Sequence, residues 1–281
     1  MLDEYSMQKL KSYGHKMHPL WMAFLLTACG GGSSKTTGDG GTPTEPGIPT
    51  SPGGLSGRVV DGYVANARVF LDANNNKLFD AVEEYSITNS EGVFSGLNEA
   101  STHTLVVDNY AGTARDTSTG FGLGFTMAAP TGYEVITPVT TLVVGLMERG
   151  KTQADSEAIV TSTLGLTADF DLSSFDPFEN LLTESAASGE RSSAEAYQLA
   201  AMKVANIMLV RDGDYTNTVD RDFQSFLDKF ASAIEQKYNS GETFNFSDVS
   251  DLRLVVNEIS NKQVIELANS NSATSYRDLL E

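Results

Sequence analysis

The chain has 281 residues, 40% hydrophobic and 20% charged, enough apolar material for one large or two modest folded domains. Its 37 Asp plus Glu against 19 Lys plus Arg give a net charge of −18, a field that repels nucleic acid and anionic lipid head groups. The one Cys excludes an internal disulfide, and with His15 and His18 in the N-terminal leader, His103 alone remains beyond it, which excludes Cys/His zinc sites and Cys–His nucleophile pairs.

The first predicted element is an export leader over residues 1–28. Lys9, Lys11 and Lys16 form a basic segment, and Leu20-Trp21-Met22-Ala23-Phe24-Leu25-Leu26 forms an apolar run too short to span a bilayer. Asp3 and Glu4 sit oddly ahead of such a segment, which makes Met7 an alternative start. Three bases and two acids lie in the leader, so the remaining chain carries −19. Residues 29–54 are nearly all Gly, Ser, Thr and Pro, a composition that cannot bury a core and reads as a flexible linker. Its roughly 25 residues have a mean reach of about 25–30 Å.

The junction Leu26-Thr27-Ala28-Cys29-Gly30 resembles the lipobox of bacterial lipoproteins. That resemblance implies cleavage before Cys29, lipidation of its thiol, palmitate among the acyl chains, and delivery to the outer membrane. Several acyl chains give durable anchoring where one is marginal.

From residue 55 the pattern turns to period two. Strands are expected at Leu55–Val60, Ala67–Leu71, Tyr85–Thr88, Gly92–Ser95, Thr104–Val107 and Gly122–Phe125, with a hairpin-type turn at Asn89-Ser90-Glu91-Gly92. Short strands with frequent turns predict an antiparallel β-sandwich, immunoglobulin- or prealbumin-like, over 55–131. His103, the one histidine beyond the leader, reads as a half-exposed strand residue and not as part of a Ser–His–Asp triad.

Between the second and third strands lies Asp72-Ala73-Asn74-Asn75-Asn76-Lys77-Leu78-Phe79-Asp80-Ala81-Val82-Glu83. Asp72, Asn74, Asn76, Asp80 and Glu83 fall at loop positions one, three, five, nine and twelve, and Leu78 at seven offers a backbone carbonyl. Calcium takes six to eight oxygens, and this spacing wraps a chain around one ion. Position six is usually Gly, whereas Lys77 stands here, which should strain the loop or require a left-handed lysine, and which places a positive charge near the ion. The competing reading is an Asx-rich turn that binds nothing.

Gly57 to Phe94 resembles the calcium-binding B-type repeats of surface adhesins and carboxypeptidase regulatory-like sandwich modules. The resemblance rests on Gly62-Tyr63-Val64-Ala65-Asn66-Ala67, the Phe70-Leu71-Asp72 strand end, the Asp/Asn loop, and Thr88-Asn89-Ser90-Glu91-Gly92-Val93-Phe94. It implies a structural or adhesive module.

Residues 132–281 read as an α-helical bundle, which makes the whole chain α+β. Thr137 caps a helix with Pro138 at its first position and Arg149-Gly150 at its end, in a Thr-Pro-Val-Thr-Thr-Leu stretch similar to one joining such β modules to helices in large secreted bacterial proteins. Further helices are expected at 156–164, 176–183, 193–210, 219–238 and 248–269, with Phe and Leu stripes as bundle core. Asp169, Asp171 and Asp176 read as turn and cap residues. Asp212, Asp214 and Asp220, with Thr216 and Thr218, read as an interhelical turn because Phe223 occupies the twelfth position of any second ion loop.

The expected function is that of a surface lipoprotein acting in binding, adhesion or envelope structure, with calcium as cofactor and no enzymatic activity. Its partners would be the membrane, through Cys29, and an extracellular protein or glycan. The alternatives are a carboxylate-based polysaccharide hydrolase and an accessory lipoprotein of an envelope complex. The protein would face the cell surface or the periplasm.

Overall fold

The computed structural model describes residues 54–167, 170–182, 188–212 and 223–274. Cys29 with its leader and the linker up to residue 53, Asp169, and the Gly213–Asp220 part of the second acidic stretch lie outside the described residues. Among the described residues, antiparallel strands in small sheets come first and seven helices follow, a mixed α+β architecture.

The strands are β1 (Leu55–Val59), β2 (Val64–Ala65), β3 (Arg68–Asp72), β4 (Tyr85–Ile87), β5 (Val93–Leu97), β6 (Thr104–Asp108), β7 (Arg115–Asp116), β8 (Met127–Ala129) and β9 (Val135–Ile136). A four-stranded antiparallel sheet runs β4-β3-β6-β8, a three-stranded sheet runs β5-β1-β9, and β2 pairs with β7. Val69, Phe70 and Leu71 of β3 are all buried, as are Leu105, Val106 and Val107 of β6. These strands are apolar on both faces because both faces are covered.

Three expectations in this half are corrected. The turn at Asn89–Gly92 is tight, with Gly92 N–H donating to Asn89 O at 3.0 Å and Gly92 at φ +74°. It joins β4 of one sheet to β5 of the other and is therefore a corner between sheets, not a hairpin. Gly122–Phe125 forms no strand: Gly122 makes one isolated bridge to Arg115, while Leu123 and Phe125 bury their side chains from a loop. The sheet edge belongs to β8 instead. His103 is exposed in a bend just before β6.

β9 was invisible to pattern reading. It pairs in parallel with β1, Arg58 opposite Val135 and Val59 opposite Ile136, so the first sheet closes only beyond residue 131. Strand β1 has no room beside it: a Cβ on Gly57 would lie 2.4 Å from Glu134 O, a backbone atom that cannot turn aside. Gly57→Ala should therefore cost about 1–3 kcal/mol, read as a lower urea midpoint at unchanged slope.

The helices are α1 (Pro138–Glu148), α2 (Gln153–Thr163), α3 (Pro177–Leu182), α4 (Ser188–Asp212), α5 (Phe223–Asn239), α6 (Val249–Val255) and α7 (Asn261–Ser270). Helix α1 starts where Thr137-Pro138 predicts, its cap accepting from Thr140 N–H, and Gly150 follows the Arg149 cap at φ +87°. Every residue from Pro138 to Leu146 is buried, which makes α1 the central post between sheet and bundle. Its threonines close the edge of β8: Ala128 N–H donates to Thr141 Oγ1 at 2.9 Å, and Thr140 Oγ1 lies 2.9 Å from Ala128 O. Side chains of a helix thus stand in for a missing strand and leave that edge no free ladder.

The predicted single helix over 248–269 is two helices. Val256, at ψ 64°, leaves the helical path, and Ser260 caps α7 in a reciprocal box with Gln263. Arg253 Nη1 spans the break to Ile259 O at 2.7 Å. One continuous hydrophobic cluster holds Phe70 and Leu105 of the sheet, Leu142 of α1, Tyr197 of α4, Phe230 of α5 and Leu267 of α7.

Candidate metal centre

Strand β3 ends at Asp72, directly opposite Thr104 of β6, and from there the chain leaves the sheet and returns at β4. Leu71 N–H donates to Glu84 O at 3.0 Å, so the two ends of the intervening loop are clamped together. The loop carries two left-handed residues, Asn75 at φ 59° and Lys77 at φ 61°. The position that usually demands glycine thus keeps its left-handed turn with a lysine in it, at some cost in strain.

The acidic residues at the loop's two ends face inward on its backbone. Asp72 Oδ1 accepts from Asn76 N–H at 3.1 Å and Oδ2 from Lys77 N–H at 3.0 Å. Glu83 Oε1 accepts from Ala73 N–H at 2.8 Å and Oε2 from Asp80 N–H at 2.9 Å. Between them, Asp80 Oδ2 receives Asn74 Nδ2 at 2.7 Å and Asn76 Nδ2 at 3.1 Å. The third, fifth and ninth positions therefore converge, and the first and twelfth hold the ring closed. Asx turns complete it, Asn74 Oδ1 accepting from Asn76 N–H and Asn76 Oδ1 from Leu78 N–H.

Phe79 anchors the loop to the sheet, packing edge-on against Phe70 at 5.6 Å and Tyr85 at 5.3 Å between ring centroids. Arg68 lies 3.8 Å over the Phe79 ring and is held there by a two-point pair with Asp108. Burial pushes the Asp108 carboxyl above the usual range, while the hydrogen bond and charge of Arg68 pull it back. At the other side of the loop Val82 is 94% exposed, so the ring opens to solvent there.

Among the described residues, no group of three or more His, Cys, Asp or Glu is gathered around one point. The Asp72, Asp80 and Glu83 carboxylates are spent on N–H donors instead of converging on each other. The donor set still fits a hard cation. Each carboxylate oxygen can accept twice, so Asp72 Oδ1, Asp80 Oδ1 and both Glu83 oxygens keep capacity beyond the bonds above. The amide oxygens of Asn74 and Asn76 keep one acceptor site each, and Leu78 adds a backbone carbonyl. That is an all-oxygen set of the number calcium takes.

Pattern reading missed the partners of Lys77. Its ammonium is 1% exposed and lies 3.0 Å from Asp72 Oδ2 and 2.6 Å from Glu148 Oε1, at the end of α1. Asn75 Oδ1 accepts from it at 2.6 Å. A signal existed in the sequence: Glu148 sits in the last turn of a helix, where the dipole disfavours an acid unless a cation meets it.

The other acidic residues do what their turns require. Asp171 accepts from Ser173 and Ser174, which holds its carboxyl below the usual range. Asp176 caps α3 through Phe178 and Glu179 N–H and pairs with Arg58 at 2.9 Å. No helix among the described residues is long and apolar enough to cross a membrane. No protein-family model, curated protein or solved structure matches the chain.

Proposed function

We propose that this chain is a bacterial envelope lipoprotein, held to the outer membrane by lipid on Cys29, that presents a calcium-stabilised β module for binding, adhesion or envelope structure. The observation that supports the calcium reading is the closed Asp72–Glu83 ring, with its left-handed sixth residue and the acceptor capacity left on its carboxylate and amide oxygens. Asp72, Asn74, Asn76, Asp80 and Glu83, with the Leu78 carbonyl, would hold the ion. Calcium would supply a structural cross-link between β3 and β4 and no chemistry. The tether reading rests on the lipobox-like Leu26–Gly30 junction, with a spacer composition directly behind it.

Titration calorimetry on the protein from Cys29 onward is expected to show one calcium site with a dissociation constant of about 0.1–1 mM, the range of extracellular modules. Asp80→Ala should abolish the heat while leaving the fold intact, because Asp80 Oδ2 receives only the two asparagine amides. Absence of heat in the unaltered protein would overturn the calcium reading. Protease shaving of intact cells separates a surface-facing from a periplasm-facing protein.

A further inference from the structure

Lys77 is more than a substitute for glycine. Its ammonium and the Asp72 carboxylate are essentially sealed from solvent, at 1% and 0% side-chain exposure, and Glu148 is 16% exposed. A buried charge is tolerated only when partners replace its water. Two acids do so here, one from the loop and one from α1. Glu148 in turn accepts from Gln224 Nε2 at the start of α5, so a chain of charged and polar contacts runs from loop to bundle.

Resting on the calcium reading above, we infer that Glu148 is a remote electrostatic tuning residue for the cation loop, acting through Lys77. The Lys77 charge shares Asp72 with any ion in the ring and opposes its binding. Glu148 neutralises that charge from behind and keeps the ammonium drawn toward the helix. Calcium affinity is then set in part by a residue outside the loop, and an ion in the loop strengthens the Lys77–Glu148 contact by the same factor.

The test is titration calorimetry with calcium chloride on the protein from Cys29 onward. Glu148→Gln, which keeps the side-chain shape, should weaken calcium about 3–10-fold, and Lys77→Met should tighten it by a similar factor. Lys77→Met retains a left-handed non-glycine residue, so relief of backbone strain cannot explain a gain. Should Lys77→Met fail to fold, Glu148→Gln decides alone. Unchanged or tighter binding in Glu148→Gln would overturn the inference and leave the calcium reading standing. No binding by the unaltered protein would overturn both. In chelator, a double-mutant cycle of the two substitutions on urea unfolding should be non-additive; additivity would show that Glu148 does not act through Lys77 and would overturn the inference.

Discussion

Asp72→Ala should lower the unfolding free energy by about 3–5 kcal/mol, the range for breaking a buried ion pair from one side. The carboxylate holds the backbone N–H of Asn76 and Lys77 and the Lys77 ammonium, and nothing near it can take over all three. Removing it leaves a buried cation with Glu148 as its one remaining acid and an unclosed ring at the end of β3. Because sheet and helices share one hydrophobic cluster, the loss should appear as an earlier single transition in urea, not as a separate early phase. A loss below about 1 kcal/mol would mean that the ion pair is not closed in solution.

The second large effect concerns the tether. Cys29→Ala should move the protein from the membrane pellet to the soluble fraction and abolish incorporation of labelled palmitate. Cys29 is the chain's one cysteine, so no other thiol can accept a lipid. The apolar run before it is too short to replace the anchor as a transmembrane helix. Persistent membrane association without label would contradict lipidation as the anchor.

What could be read in advance was local. Thr137-Pro138 marks the start of α1 because cap, proline and box residue lie within one turn. The closed loop from Asp72 to Glu83 was legible because the spacing of its Asp and Asn residues is itself the signal. What escaped was set by distance along the chain or by a competing pattern. Strand β9 is two residues long and exists only because β1 lies beside it. The Gly122–Phe125 run looks like a strand because its apolar residues are buried, but Thr140 and Thr141 fix the neighbouring β8 at the edge. The α6–α7 break was written in Ser260 and Gln263, yet apolar periodicity continues across it and masks the cap. The meeting of Lys77 with Glu148 has no local signature beyond an acid at the wrong end of a helix.

The most direct test of the calcium-stabilised module is a thermal melt of the protein from Cys29 onward, in chelator and then in 5 mM calcium. A site of about 0.1–1 mM affinity adds roughly 1–2.3 kcal/mol at that concentration. For a folded unit of this size, that predicts a rise of about 2–9 °C in Tm. Asp80→Ala should melt at the same temperature in both conditions. An unaltered protein whose Tm does not move with calcium would contradict the account, whatever the loop's shape.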